Sequence, residues 1–211
     1  MRTIFLFMNV SLDGYFEAPG HDISGFTNDF EAFSADQSGE VDTLLFGRKT
    51  YDMMKFWSTP QAETIAPEIA KFMNEKLKVV VSHSAFEPDW SKVTVISADV
   101  VGAVKKLKEQ PGKNIAMFGS NNLCVTLMQA GLVDEFQIVV NPVAFGDGTS
   151  LFKGLPAKAA LTLTETRQFK SGAILLTYAP HSYRAARNGF GEQRRMIYDL
   201  DSTKFIEGSQ R

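Results

Sequence analysis

The sequence predicts an α/β fold, a mixed and mainly parallel sheet with helices on both faces, and three observations predict it. Near-continuous apolar runs of strand length recur along the chain, helix-length segments separate them, and after Pro142 the pattern turns to strand-like runs joined at a glycine. Continuous apolar runs suit strands covered on both faces, as in a parallel sheet between helices. Strand alternating with helix is the pattern of the α/β class.

Each element follows in order. Residues 3–10, 43–46, 78–82, 115–118 and 136–140 read as the buried strands, and segments 29–36, 49–56, 64–76, 100–109 and 121–130 as helices. In the segment at 100, Val100, Val101, Val104 and Leu107 recur at helical spacing, with Lys105, Lys106, Lys108 and Glu109 forming a solvated face. The segment at 121 sets Leu123, Leu127 and Ala130 on one face and ends at Gly131, a suitable residue for leaving a helix. Gly146-Asp147-Gly148 marks a loop after the strand ending near Val140. Residues 160–166 alternate apolar with polar, residues 173–179 form a second run, and Gly172 lies between them, which predicts an antiparallel hairpin at one side of the sheet.

The chain has 211 residues, enough for one domain with a full-sized core plus an appendage. The domain is expected over residues 1–180. Residues 181–211 hold Arg184, Arg187, Arg194, Arg195, Lys204 and Arg211 with few apolar residues, too few to form a core alone. Phe190, Met196, Ile197 and Tyr198 are its candidate docking anchors. With 22 Lys+Arg against 24 Asp+Glu, the net charge of -2 gives no electrostatic footprint for nucleic acid. A single cysteine, Cys124, excludes an internal disulfide and a cysteine-cluster metal site, and it reads as a small core residue. His21, His83 and His181 have no ligand spacing, so no metal is expected. The opening run Ile4-Phe5-Leu6-Phe7-Met8 is only five residues long, so neither a membrane span nor a signal segment is expected. A soluble, cytoplasmic protein is the expectation.

Four segments can carry chemistry. In Leu45-Phe46-Gly47-Arg48-Lys49-Thr50 a strand runs through a glycine into a helix start bearing two cations. Free N–H groups and the helix dipole favour phosphate there, and two cations suit a doubly charged ribose 2′-phosphate better than a neutral diol. The plainer reading makes Arg48 and Lys49 solvated residues after a strand-end glycine. Phe118-Gly119-Ser120-Asn121-Asn122 repeats the design with small polar residues, which either admit a pyrophosphate or cap the helix through Ser120 or Asn121. Ser82-His83-Ser84 follows a strand, where open α/β sheets bind ligands, or is a polar turn. Val10-Ser11-Leu12-Asp13-Gly14-Tyr15-Phe16 is a turn after the first strand, with Asp13 either bonding its own backbone or closing over a ligand. The chain contains neither a Gly-x-Gly-x-x-Gly fingerprint nor a Gly-x-Ser-x-Gly nucleophile motif.

Taken together and in this order, these segments resemble the dihydrofolate reductase-like superfamily. The likeness rests on Ser11-Leu12-Asp13-Gly14, Leu45 through Tyr51, Lys78 through Ser82, Phe118-Gly119-Ser120 on to Leu132-Val133-Asp134-Glu135, and Phe145 through Phe152. It is strongest for the bacterial branch that shares its fold with the reductase domain (RibD C-terminal) of bifunctional riboflavin-biosynthesis enzymes, and it covers about residues 2–180.

The resemblance implies a three-layer dihydrofolate reductase-like fold with NADPH in an extended groove across the sheet. Gly47, Arg48, Lys49 and Thr50 would hold the 2′-phosphate and pyrophosphate, and Val81, Ser82, His83 and Ser84 would line the adenosine. Phe118, Gly119, Ser120, Asn121, Asn122 and Leu123 would take the pyrophosphate from the second helix start, with Asn9, Val10 and Phe16 near the nicotinamide. Asp29 is the residue that can be placed, on the resemblance, where the folate enzymes have their acid, and it is the catalytic candidate, the plainer reading being a solvated helix-start acid; Asp13, Asp29, Tyr51 and Trp57 are the substrate-side candidates. The function expected is an NADPH-dependent oxidoreductase passing hydride to a small heteroaromatic (pterin- or pyrimidine-like) or carbonyl substrate. The alternative is a catalytically inactive nucleotide-binding or interaction protein that keeps the reductase fold. A homodimer is expected, because the related reductases pair and the hairpin leaves a sheet edge to cover.

Overall fold

The computed structural model describes residues 1–27, 29 and 35–181. In chain order the elements are β1 (Ile4–Val10), β2 (Tyr15–Glu17), β3 (Val41–Gly47), α1 (Arg48–Met54), a 3-10 turn (Lys55–Ser58), α2 (Pro60–Ile65), α3 (Pro67–Glu75), β4 (Leu77–Val81), β5 (Val93–Ile96), α4 (Val100–Glu109), β6 (Asn114–Phe118), α5 (Asn121–Gln129), β7 (Glu135–Val140), β8 (Thr149–Ser150), β9 (Leu161–Gln168) and β10 (Ile174–Pro180). Eight strands form one sheet in the order β5-β4-β3-β6-β1-β7-β10-β9, and β2 pairs β8 in a small second sheet. The first six in that order are mutually parallel, and only β10 runs against its neighbours.

Strand alternation divides the core into two layers. Ile4, Leu6 and Met8 of β1 face Val104 of α4 and Leu123 and Leu127 of α5. Phe5 and Phe7 face the other way, into a layer with Tyr51 of α1 and Ile69, Phe72 and Met73 of α3. Both faces of the central strands are therefore covered, which is why they read as unbroken apolar runs. The α/β, three-layer expectation and the C-terminal hairpin both hold. Gly131 ends α5 with φ 66°, the Gly131 N–H donating to Met128 O at 3.0 Å and the Leu132 N–H to Leu127 O at 2.9 Å.

Several details differ from the expectation. The helix expected over 64–76 is two helices, because Pro67 starts α3 and Pro60 starts α2, each in the first turn, where proline loses no hydrogen bond. The short strands β2, β5 and β8 were not expected. Ala130 is exposed rather than on the buried face of α5, and Lys108 is buried rather than solvated, because its ammonium reaches Leu132 O at 3.0 Å and the Asp134 carboxylate. The expected helix over 29–36 lies outside the described residues except for Asp29, Ala35 and Asp36. The tail and its anchors Phe190, Met196, Ile197 and Tyr198 also lie outside them. Among the described residues no helix is long and apolar enough to cross a membrane.

Candidate functional site

Strands β3 and β6 are parallel neighbours with Phe46 opposite Phe118, so Gly47 and Gly119 leave the sheet side by side. This brings together two sequence segments some seventy positions apart. A Cβ on Gly47 would lie 2.5 Å from Ser120 Oγ, and one on Gly119 would lie 3.1 Å from Thr50 Oγ1. Gly47 has an ordinary φ of -77°, so there the glycine answers a close approach; Gly119 has φ 59° and answers a backbone conformation. Ser120 also has a positive φ, 62°, which is uncommon outside glycine and concentrates at functional positions.

Neither helix start is capped by a side chain. The capping alternative for Ser120 and Asn121 therefore does not hold. Ser120 sits at the cap position without bonding, and Asn121 turns away, its Nδ2 lying 2.6 Å from Leu151 O and 2.9 Å from Lys153 O. That amide holds the segment after β8 against α5. Among the described residues no side chain accepts from the first N–H groups of either helix, at the end where the dipole is positive.

Two cations stand beside these helix starts. The Arg48 guanidinium lies 3.8 Å over the Phe86 ring and donates from Nε to the Asp52 carboxylate at 2.9 Å. That hydrogen bond holds its pKa above the ordinary value. Lys49 is exposed, and Thr50 is buried against Gly119. On the next strand over, Gly47 is opposite Val81. Ser82 turns inward and donates to Ser84 O at 2.7 Å, while His83 and Ser84 are exposed. Asn122 is exposed, whereas the side chains of Val81, Phe118 and Leu123 belong to the core, so any ligand contact from these three runs through backbone.

On the other side of β6, β1 and β7 end together, with Val10 opposite Val140. Val10 is buried, and Asn9 and Phe16 are half-buried. Asn141, fully buried at 0% exposure, follows β7 and organises this end. Its Nδ2 lies 3.1 Å from Asn9 Oδ1 and 3.2 Å from Val10 O, and its Oδ1 accepts from the Thr27 N–H at 2.8 Å and the Thr27 hydroxyl at 3.0 Å. The Thr27 hydroxyl also reaches Asp29 Oδ2, which accepts from Ser171 Oγ at 2.6 Å as well. Asp29 is half-buried.

Two substrate-side candidates have structural work instead. Tyr51 is 1% exposed, packed against Phe86 and Trp90 with its hydroxyl 3.2 Å from Asp89, so it has no surface to offer a substrate. The Asp13 carboxylate keeps the bond to its own backbone N–H only as its weakest tie. It accepts from Ser11 Oγ at 2.6 Å, Gly146 N at 2.7 Å and Phe145 N at 3.1 Å, tying the turn after β1 to the 143–148 loop. Trp57 is half-buried against the layer holding Tyr51, and its carbonyl accepts from Asn74 Nδ2 at 3.0 Å. Cys124 is buried, and burial pushes its thiol up to about 12, consistent with a core residue.

The residues missed by sequence reasoning are Thr27, Asn141 and Ser171. Asn141-Pro142 directly after a strand was the one visible signal. A groove of about 560 Å³, lined by Gln37, Glu40, Glu135, Gln137 and Thr164 among others, opens at the strand-start edge, away from where the phosphate-suited segments meet.

Residues 2–175 match the RibD C-terminal domain family. The uncharacterized protein YyaP of Bacillus subtilis is 32% identical over 178 residues, covering 84% of this chain and 94% of that protein. Among solved structures, a riboflavin biosynthesis protein from Shewanella sp. PV-4 (described as putative) has a TM-score of 0.65 at 19% identity, covering 84% of this chain and 98% of that one. Dihydrofolate reductase from Enterococcus faecalis, complexed with NADP(H) and RAB-propyl, has a TM-score of 0.59 at 13% identity, covering 85% and 96%. The strand-end glycines, the order of the sheet and the span of the sequence match lead to one assignment: this chain is a member of the RibD C-terminal domain family, on a dihydrofolate reductase-like fold.

Proposed function

We propose that the chain is an NADPH-dependent reductase that passes hydride to a small heteroaromatic (pterin- or pyrimidine-like) or carbonyl substrate. The observation that carries this is the meeting of two uncapped helix starts at Gly47 and Gly119, beside Arg48, Lys49 and Thr50. That donor set fits a dinucleotide phosphate. The close approach of Gly47 to Ser120 sets the two helix starts side by side, where both would serve a pyrophosphate. NADPH, when bound, supplies the hydride. Arg48 and Lys49 would select the 2′-phosphate, the backbone from Gly119 to Leu123 would orient the pyrophosphate, and His83 and Ser84 would flank the adenosine. Asn9, Val10 and Phe16 would border the nicotinamide, and Asp29 would supply the acid beside the substrate. The NADP(H) bound to the Enterococcus dihydrofolate reductase on this fold supports the cofactor, and the riboflavin-biosynthesis neighbour supports a heteroaromatic substrate.

The test is calorimetric titration with NADPH and NADH. Micromolar NADPH with NADH at least about tenfold weaker is expected, and Arg48→Ala should cost about 1–3 kcal/mol of NADPH affinity while leaving NADH unchanged. An Arg48→Ala protein that binds NADPH as wild type does would sink the phosphate assignment. No NADPH binding at all would favour the inactive interaction protein. We further propose a homodimer through the β9 edge, which among the described residues has no strand partner on its outer side and leaves Leu163 47% exposed; sedimentation velocity tests it.

A further inference from the structure

Five polar side chains from four separate parts of the chain form one continuous path at the ends of β1 and β7. Asn9 accepts from Asn141, Asn141 accepts from Thr27, and Thr27 and Ser171 both donate to Asp29. The Asn141 carboxamide is held at both ends. Its Nδ2 has Asn9 Oδ1, Val10 O and Val139 O within 3.2 Å, and its Oδ1 accepts the Thr27 N–H at 2.8 Å with the Thr27 hydroxyl oxygen 3.0 Å away. A buried amide with every hydrogen-bonding site engaged has one orientation and transmits a displacement at either end. The Thr27 hydroxyl has a single hydrogen between two acceptors, Asn141 Oδ1 and Asp29 Oδ2.

The two hydroxyls converge on one oxygen of Asp29. Ser171 sits on the β9–β10 turn, where its Oγ also accepts the Ala173 N–H at 3.2 Å, so both donors to Oδ2 are themselves anchored. Among the described residues Asp29 Oδ1 has no partner.

We propose that Thr27 and Asn141 are positioning residues that fix Asp29 relative to Asn9, turning Oδ2 into the anchored oxygen and leaving Oδ1 as the one that meets a ligand. The inference rests on the reading of Asp29 as the substrate-side acid and of Asn9 as a border of the nicotinamide. It adds what joins them. An acid beside the substrate and a group bordering the nicotinamide must keep their spacing to within about 0.5 Å for productive geometry, and an isolated loop carboxylate would not.

The test is nuclear magnetic resonance on the nitrogen-15-labelled full chain, reading the side-chain NH2 signals of Asn9 and Asn141. In the wild type, Asp29→Asn should displace both signals. With Thr27→Val as background the same substitution should leave them in place, and with Thr27→Ser, which keeps the hydroxyl, the displacement should return. Thr27→Ala provides a second hydroxyl deletion should the valine variant fold poorly. Equal displacement with and without the hydroxyl, or none in the wild type, overturns the proposal. A merely structural threonine would not show rescue by serine confined to these two signals. NADPH titrated into the same samples separates the two readings. Coupled signals without NADPH binding would retain the linkage and remove the reductase, and NADPH binding with uncoupled signals would do the reverse.

Discussion

At the strand-start edge of the sheet, buried cations close on carboxylates; at the strand-end edge Lys49 and His83 are exposed and Arg48 pairs with Asp52 within reach of solvent. Arg2, buried before β1, pairs with Asp42 and donates to Lys113 O at 2.6 Å and Thr43 Oγ1 at 2.7 Å. Lys108 pairs with Asp134, whose Oδ2 also accepts the Ile4 N–H at 2.8 Å. Across the sheet, two helix starts have no side-chain cap, Lys49 and His83 are exposed, and Ser120 holds a left-handed backbone. The same six parallel strands thus carry a locking edge and, on the proposed reading, a binding edge. The difference teaches where substitutions should cost folding and where they should cost affinity.

The largest expected effect breaks the locking edge. Asp134→Ala strips a buried ammonium of its charge partner and the Ile4 N–H of its acceptor, and should destabilise the fold by about 3–5 kcal/mol. Urea unfolding reads it, with NADPH affinity unchanged once the protein is folded. A change below about 1 kcal/mol would mean that this edge is no lock.

Lys78 sharpens the comparison, because it is a lock without a carboxylate. Its ammonium is 0% exposed, donating to Asn74 O at 3.0 Å and Lys76 O at 2.9 Å at the end of α3, and lying 4.6 Å over the Trp90 ring. The carbonyls, the helix dipole and the ring favour the charge, yet burial, with some help from the Lys92 charge, pushes its pKa down to about 8. With the folded value below the unfolded one, the unfolded chain holds more protons between about 8 and 10.5, so stability from this group rises with pH across that window. The rise is at most about 3 kcal/mol. Lys78→Met should remove it, so the wild type should gain stability relative to the variant as pH rises from about 8 to 10.5. A pH-independent difference would contradict the burial argument.

Gly47→Ala tests the binding edge. The added Cβ would press on Ser120 Oγ and push the two helix starts apart. NADPH affinity should fall about tenfold; φ at Gly47 suits alanine, so the fold should lose only the overpacking cost of about 1–3 kcal/mol, read from the urea midpoint. Ser120→Gly removes the opposing atoms and relieves a positive φ, so the double variant should recover affinity. Failure of that rescue would separate the steric contact from binding.

How much of this was legible depended on the range of each signal. The central strands could be read because burial on both faces leaves nothing polar to interrupt residues such as Leu44, Leu45 and Phe46. Strand β5 could not, because Val93–Ile96 is a four-residue edge with Thr94 exposed. The break at Pro67 was present in the sequence, but the apolar spacing of Ile69, Phe72 and Met73 continued past it. Lys108 read as solvated because its partner, Asp134, lies across a turn from another element. At the site, the glycine-to-helix steps were legible because each is local. The Thr27–Asn141 contact spans 114 positions and involves no unusual residue, so only the fold brings it to light.

The smallest expected effect lies between the two edges, in the loop that Asp13 ties. Its carboxylate accepts from Ser11 Oγ, Gly146 N and Phe145 N, and these bonds, the one from Ser11 above all, hold its pKa down at about 2 against an ordinary 3.8. With the folded value below the unfolded one, the tie is complete above about pH 3.8 and is lost as pH falls toward 2. Asp13 is exposed, so water replaces what the loop loses, and the global stability should barely move. The local effect is different, because two backbone N–H groups share this one acceptor. In Asp13→Asn the charge is gone and one oxygen becomes a donor that faces them. Exchange protection at Phe145 and Gly146 should therefore drop in the variant at neutral pH, and in the wild type only below about pH 3.8. NADPH affinity should stay at the wild-type level, because Asp13 holds a loop and touches no phosphate segment. Unchanged protection at those two amides in the variant would show that the β2–β8 pairing alone holds the loop, and that this turn belongs to neither edge.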